Sequence, residues 1–399
     1  MMRVAYFSHY VELYGANRSL VDLVVEVRKC GTVDPVVYIP AEGPLTRCLA
    51  TLGIPTVVIA WHPWMVERRY SGGLRDRLSA FRDHVRQARS RALENARSGQ
   101  LVLADLLERK VDLLHVNSAA VGIAGELIRS AHIPVVWHIR EMPERHYGFT
   151  LNEGRGRYGD LLRRAARIIA NSEAVRTDVL RYTGAGTKVD VVYNGVCSIA
   201  NSEQVLEAQE ARWSKDNVFT FLMAGVLHPK KGHREAIEAL AWVVRTHPQV
   251  RLRVAGAGRQ QELLELAQHL GVEQNVEFLG HVDDMAPFYG SGHALLMCSR
   301  TEGMGRVTVE AMANGLPVIG RAEGGTLELI TQDRTGLFYT DGATALATAM
   351  TRLVADKAYA RQLGREGVRE AYSRFSIEEH AARVLSIYSS ILTNERQLS

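Results

Sequence analysis

The stretch SRTEGMGRVTVEAMANGLPVIG, Ser299 to Gly320, sets two carboxylates, Glu302 and Glu310, on either side of a Gly303-Met304-Gly305 turn that opens an apolar helix. An apolar strand, HALLMCS, precedes the turn, and another, LPVIG, follows the helix. Strand, glycine turn and helix in that order form an anion site. Backbone N–H groups and the positive helix end point at one spot, and glycine lets a ligand come close to the backbone. Glu302 enters the turn from outside. Glu310 lies about one and a half turns inside the helix, where side chains tilt back toward the N-terminus. An acid beside a phosphate would repel it, but an acid about one sugar away accepts charge-assisted hydrogen bonds from vicinal hydroxyls. A nucleotide sugar carries hydroxyl pairs on both sides of its diphosphate, and two acids flanking an amide cradle fit it. Spacing also allows a plainer reading, because Arg306, Glu310 and Asn314 form an i, i+4, i+8 stripe that suits a polar helix surface.

Outward from this stretch, the chain repeats strand and helix. RVAYFSH, VVYI, TVVIA, VDLLHV, PVVWHI, RIIAN and VDVVY form one series of short Val- and Ile-rich runs, and VFTFLMAG, RLRVAGAG, NVEFLG, HALLMCS, LPVIG and GLFY form a second. Strands alternating with helices predict parallel sheets covered on both faces. A length of 399 residues is too great for one ordinary core. The expectation is α/β, with two doubly wound Rossmann-like domains. The boundary falls in the polar stretch NGVCSIANSEQ, giving an N-terminal domain over 1–196 and a C-terminal domain over 197–375. A closing amphipathic helix over 376–399 is expected to pack back on the first domain.

Composition excludes several classes. With 46% hydrophobic and 23% charged residues the chain reads as soluble and globular, and a net charge of +4 is too small to argue for nucleic acid. Cys30, Cys48, Cys197 and Cys298 are dispersed with no C-x-x-C, which reads as a reduced cytoplasmic protein without a structural zinc site; Cys197 and Cys298 are expected as buried thiols. The opening MMRVAYFSHY is a strand, not a signal segment, and no apolar run approaches the ~20 residues of a membrane span.

Other second-domain turns support an anionic ligand. AGVLHPKKGHREAI places Lys231 and Gly232 between a strand and a helix, where a lysine can neutralise diphosphate charge. Gly256 and Gly258 form a G-x-G without a third glycine, which is weak evidence for a dinucleotide fold. These turns lie at strand C-terminal ends, where open α/β sheets bind ligands.

EGMGRVTVEAMANGLPVIG resembles the E-x7-E segment of the retaining glycosyltransferases of family 4, whose GT-B fold sets two Rossmann-like domains facing across a cleft. YGANRSL, VVWHIRE, IIANSEAV, VVYNGV, AGVLHPKKG, VEFLGHVDD and EGGTLELI fall in that family's order. The resemblance implies that Glu310 holds ribose hydroxyls and Glu302 the transferred sugar. It implies Lys231 on the phosphates, and backbone of Gly303, Met304, Gly305 and Val307 on the sugar and diphosphate. The base is implied near His281 and Val282. His138 matches a first-domain histidine that meets the donor sugar, against the plainer reading of a structural histidine at a strand end. Gly15 and Ala16 match a loop near the diphosphate and the acceptor. Arg140 and Glu141 stand beside His138, within reach of an acceptor. Asn17, Asn171 and Asn194 read as caps or turn residues.

Two departures stand out: Ala16 replaces the second glycine of the first loop, and Val226 replaces the arginine before Lys231-Gly232. Arg306, in the first turn of the anion-binding helix, is expected to fill the phosphate role vacated at Val226, with pairing to Glu310 as the alternative. No D-x-D motif occurs, so no metal and no other cofactor is expected. The donor substrate is a nucleotide diphosphate sugar and the acceptor a saccharide, a lipid-linked intermediate or a small natural product. The rival readings are another nucleotide-sugar enzyme, such as an epimerase, and a degenerate transferase serving as a binding subunit.

One element stands apart. Leu74, Leu78, Phe81 and Val85 mark one face of a long helix, and Arg75, Arg77, Arg82, Arg86, Arg89, Arg91 and Arg97 crowd the rest, with Trp61, Trp64 and Tyr70 just before. The alternatives are a solvated face and a patch over 74–97 that touches an anionic surface at the inner face of the membrane or a phosphorylated acceptor.

Overall fold

Both series of apolar runs become strands. The computed structural model describes residues 1–67, 74–215, 218–340 and 342–398, and it divides into two units, Met1–Gly195 with Glu378–Ser399, and Val196–Ile377. The first contains β1 (Met2–Phe7), β2 (Val33–Ile39), β3 (Thr56–Val58), β4 (Met65–Glu67), β5 (Leu113–Val116), β6 (Val135–Ile139), β7 (Phe149–Leu151), β8 (Arg167–Ala170) and β9 (Val189–Val191). Seven of these make a parallel sheet in the order β3-β2-β1-β5-β6-β8-β9. The pair β4–β7, antiparallel and three residues each, is too short to show a period and has no counterpart in the sequence reading.

Strand alternation divides this unit's core. On β1, Val4 and Tyr6 join one cluster while Ala5 and Phe7 join the other, because successive side chains leave opposite faces. The first face is covered by Leu20, Leu23, Val24 and Val27 of helix Gly15–Lys29 and by the C-terminal helix, whose Ala381, Val384, Tyr388 and Ile391 recur at helical spacing.

The arginine-rich segment is one helix, Leu74–Glu108, but its buried seam is not the expected one. Asn95, Gly99, Val102 and Leu106 face inward, and Phe81 is 49% exposed. Among the described residues the stripe that packs lies in the C-terminal half, where Val102 and Leu106 join the sheet's core cluster. Trp61 and Trp64 are core residues, 6% and 3% exposed, and form no part of a surface patch. Asn95 draws this segment inward by accepting from the His62 N–H at 2.8 Å and donating to the His62 carbonyl at 3.1 Å. Tyr70 and the side chains of Leu74, Arg75, Arg77 and Leu78 lie outside the described residues.

In the second unit, β10 (Thr220–Ala224), β11 (Arg251–Ala255), β12 (Val276–Gly280), β13 (Ala294–Met297), β14 (Val318–Arg321) and β15 (Gly336–Tyr339) form a parallel sheet ordered β12-β11-β10-β13-β14-β15. Strand order reverses between β1 and β5 in the first sheet and between β10 and β13 in the second. A doubly wound sheet opens its ligand crevice at that switch, outside the strand C-termini.

Several histidines are buried and neutral. Desolvation, helped by the Arg140 charge, holds His115 and His138 well below the usual histidine pKa, and desolvation pulls His233 down to about 4. Their unfolded value is near 6.5, so below that pH the unfolded chain binds the extra protons and stability falls. For His233 this should cost about 2 kcal/mol by pH 5, and His115 and His138 act in the same direction. The melting temperature is expected to drop between pH 7 and pH 5, and a flat profile in scanning calorimetry would contradict these assignments.

Candidate active site

The second unit gathers its charged groups at the β10/β13 switch. After β10 a short turn, Pro229–Lys231, ends at Gly232, and helix His233–Val244 begins. Gly232 has φ +77°, and a Cβ there would stand 2.5 Å from the Cys298 carbonyl oxygen, so only glycine lets the lysine loop lie against the end of β13. Lys231 Nζ then meets Glu302 Oε1 at 2.5 Å, with side chains 18% and 9% exposed. Two charges so far from water need each other, and a pair at the mouth of an anion site can exchange partners with a ligand.

Glu302, Gly303 and Met304 are buried, and Gly305, at φ +86°, caps helix Arg306–Ala313. Both oxygens of Glu310 are engaged: Arg306 Nε donates to Oε1 at 2.8 Å and the Tyr289 hydroxyl to Oε2 at 2.7 Å. Arg306 therefore takes the pairing alternative, but not as a surface contact, since the two side chains are only 14% and 15% exposed. The pair orients Glu310, and Val226 is 45% exposed. Asn314 completes the stripe by donating to the Glu310 carbonyl at 2.8 Å. Sequence reasoning missed Tyr289, which comes from the separate helix Met285–Gly290 and carries no local signal.

A second turn supports the first. The Gly325 N–H donates to the Glu302 carbonyl at 3.0 Å, and a Cβ on Gly325 would lie 1.9 Å from the Gly303 oxygen. Thr301, held at φ +58°, donates from its hydroxyl to Glu323 Oε1 at 2.7 Å. His281 and Val282 lie in the loop after β12, at the sheet edge, and His281 Nε2 is 3.1 Å from Asp283 Oδ1. That loop joins the switch through its neighbours, for Gly256 donates to the Gly280 carbonyl and Leu227 to the Ala257 carbonyl.

In the first unit the loop after β1 leads into Gly15 and Ala16, the first two residues of helix Gly15–Lys29, and Asn117, just past β5, donates to the Ala16 carbonyl at 3.1 Å. Asn17 closes this loop by donating to the Tyr10 and Glu12 carbonyls. His138 does not occupy a strand end. It is wholly buried one residue inside β6, on the face that also carries Val136, and strand alternation turns it toward the C-terminal helix. Its ring lies 5.3 Å from that of His115 and 5.8 Å from that of His380, and its Nε2 has no hydrogen-bond partner among the described residues. The residue past the strand end is Arg140. Its guanidinium donates to Asn117 Oδ1 at 2.8 Å, to Asn194 Oδ1, and to His138 Nδ1 at 3.3 Å. Asn194, expected as a cap or turn residue, accepts from this guanidinium, and Asn171 donates to the Arg140 carbonyl at 3.1 Å. Next to it, Glu141 accepts from Ser118 Oγ and from the Ala119 N–H.

Two doubly wound units, one carrying paired carboxylates and a lysine around a helix N-terminus at its switch point, define the GT-B class of glycosyltransferases. Comparisons of the sequence narrow this. The profile described as Glycosyltransferase Family 4 matches residues 43–197, and that described as Glycosyl transferases group 1 matches residues 206–370. The chain belongs to glycosyltransferase family 4.

Among its relatives, an uncharacterized glycosyltransferase of Methanocaldococcus jannaschii is 27% identical over 234 residues, 56% of this chain and 60% of that protein. The glycogen synthase of Mycobacterium tuberculosis is 28% identical over 242 residues, 59% and 57% of the two chains. The chain thus spans under two thirds of the length of these curated relatives. Among solved structures, Anabaena HepE in complex with UDP superposes with a TM-score of 0.78 at 22% identity, covering 98% of this chain and 100% of the other. Sucrose-phosphate synthase from Thermosynechococcus elongatus gives 0.72 at 18%, covering 99% and 100%. At such identities the likeness carries the fold alone.

Proposed function

We propose that this protein transfers a sugar from a nucleotide diphosphate sugar to an acceptor hydroxyl, with retention of anomeric configuration and without a metal. The observation that carries the reading is the Lys231–Glu302 pair at the β10/β13 switch, with a braced Glu310 on the helix that follows. Lys231 and the helix N-terminus neutralise the diphosphate, Glu302 turns from Lys231 to the transferred sugar's hydroxyls, and Glu310 takes the ribose diol. Backbone of Gly303, Met304, Gly305 and Val307 lines the sugar and diphosphate, and His281 and Val282 flank the base. Gly15 and Ala16, at the start of helix Gly15–Lys29, serve the acceptor side. His138, being buried, acts through Arg140 and not on the sugar.

The bond from the anomeric carbon to the diphosphate oxygen breaks as the acceptor oxygen joins the same face of that carbon. The acceptor's proton passes to the departing phosphate, leaving a nucleoside diphosphate and a glycoside. Stabilising charge on the leaving diphosphate is the protein's main contribution. A uridine donor is favoured because HepE was solved with UDP and with UDP-glucose, and Staphylococcus aureus TarM with UDP. The acceptor belongs to polysaccharide, glycolipid or natural-product glycoside synthesis.

A thermal-shift screen of UDP-, GDP-, ADP- and dTDP-sugars tests the donor, since a ligand at a hundred times its Kd stabilises a fold by about 2.7 kcal/mol. Glu310→Ala should weaken the selected donor roughly ten- to a hundredfold. Turnover should survive exhaustive EDTA; loss on chelation with recovery on added Mg²⁺ or Mn²⁺ would refute the metal-free reading. Free nucleotide without glycoside would point to an epimerase-like enzyme, and donor binding without turnover to a binding subunit.

The outward face of helix Leu74–Glu108 supports contact with an anionic membrane. Arg82, Arg86, Arg89, Leu93, Arg97 and Leu101 share that face and are all exposed, opposite the buried seam. Basic residues near an anionic leaflet contribute about 1 kcal/mol each, and apolar side chains among them add burial. Among the described residues no helix is long and apolar enough to cross a membrane. Replacing Arg82, Arg86 and Arg89 with Gln is expected to reduce sedimentation with phosphatidylserine vesicles while donor Kd stays level. Unchanged sedimentation would leave the face as solvated surface.

A further inference from the structure

Glu141 stands past the C-terminal end of β6, beside the turn that follows β5, on the ligand-bearing edge of the first sheet. Its Oε1 accepts from Ser118 Oγ and from the Ala119 N–H at 2.7 Å. The turn that supplies these donors is itself fixed: Ser118 Oγ accepts from the Ala120 N–H at 2.9 Å, and the Ser118 carbonyl accepts from Nε1 of the fully buried Trp137 at 2.9 Å. Oε2 takes neither bond, and Glu141 is only partly covered, unlike its neighbours Ala119 and Ala120. The carboxylate is therefore anchored on one oxygen and presents the other.

We propose that Glu141 is the acceptor-recognising side chain of this protein, taking a hydrogen bond on Oε2 from a hydroxyl of an uncharged saccharide acceptor. The proposal rests on the transferase reading and deepens it by naming the acceptor class. A carboxylate accepts from hydroxyls and repels phosphate, so this contact favours a neutral polyol over a phosphorylated one. The adjacent Arg140 directs its guanidinium at Asn117, Asn194 and His138. Burial raises the Glu141 pKa, while Ser118, the Ala119 N–H and both the charge and the backbone N–H of Arg140 pull it down. Anchoring the turn alone would need one oxygen and no charge.

Glu141→Gln separates the two roles, because the amide oxygen keeps both anchoring bonds while an NH₂ replaces Oε2. The assay uses the full chain, UDP-glucose or whichever nucleotide sugar the thermal screen selects, and methyl glycosides of glucose, galactose, mannose and N-acetylglucosamine, with glucose 6-phosphate and mannose 6-phosphate as charged counterparts. The wild type is expected to prefer a neutral glycoside. Glu141→Gln should raise acceptor KM roughly ten- to a hundredfold, with donor Kd unchanged in calorimetry and a narrower preference over the phosphosugar. Ser118→Ala, which keeps the charge and removes one anchor, should move acceptor KM in the same direction, and it decides the matter if Glu141→Gln does not fold. If donor binds but these variants keep the wild-type acceptor KM, if a phosphosugar is preferred, or if no neutral glycoside reacts, the Glu141 proposal is overturned. Failure of every nucleotide sugar to bind would instead remove the transferase reading.

Discussion

Lys231→Ala is expected to lower turnover roughly 10²–10³-fold and to destabilise the second unit as well. The kinetic part follows from losing the cation that meets charge developing on the leaving diphosphate; removal of one such preorganised group typically costs about 2.7–4 kcal/mol. Val226 offers no cation in its place and Arg306 is committed to Glu310, so compensation from those positions is not expected. The stability part has a separate origin. Glu302 is left as a largely buried carboxylate deprived of its lysine, and breaking such a pair from one side costs about 3 kcal/mol at the low end of its range. The two effects separate in the double variant Lys231→Met/Glu302→Gln, which removes both charges. It should recover most of the melting temperature and none of the turnover. Turnover within tenfold of wild type in Lys231→Ala would show that the diphosphate is neutralised elsewhere.

Gly325→Ala should be nearly as damaging without touching a charge. Its new methyl would sit 1.9 Å from the Gly303 carbonyl oxygen and 2.9 Å from the Met304 Cα, and both are backbone, so no side chain can rotate away. Either the turn at 323–325 or the turn at 302–304 must move. Overpacking of this kind costs about 1–3 kcal/mol, and here the movement falls on the segment that places Glu302 and opens the anion-binding helix. Donor affinity is therefore expected to fall by more than tenfold, with a lower melting temperature. Gly324→Ala tests the same packing 2.7 Å from the Glu302 carbonyl oxygen, at a φ of +59° that adds backbone strain. Wild-type donor binding in Gly325→Ala would mean that the two turns are not mechanically coupled.

Much of the fold was legible because its signals are local. The apolar runs of both sheets are short, β-branched and bounded by turns, and alternation with helices leaves a parallel doubly wound arrangement as the consistent solution. The anion site was legible for the same reason, since strand, glycine turn and helix are contiguous between Ser299 and Gly320. Lys231 could be named from its own junction, though not its partner. The β4–β7 pair and the register of the arginine-rich helix were not legible. The first has too few residues to establish a period, and the second depends on where along its length the helix meets the sheet.

By itself the sequence determined the class of fold, the succession of its strands, and an acid–glycine–acid helix entry suited to a nucleotide sugar. Those features depend on residues within one turn or one period of each other. Tertiary structure alone decided the partnerships drawn from separate elements: Lys231 with Glu302 across β10 and β13, Tyr289 on Glu310, and His138 turned inward behind Arg140. The same holds for Glu141, whose role follows from Ser118 and Ala119 on a neighbouring strand's turn. Side-chain direction along a strand depends on its register with its neighbours, and hydrogen-bond partners drawn from separate loops leave no spacing in the chain from which they could be read.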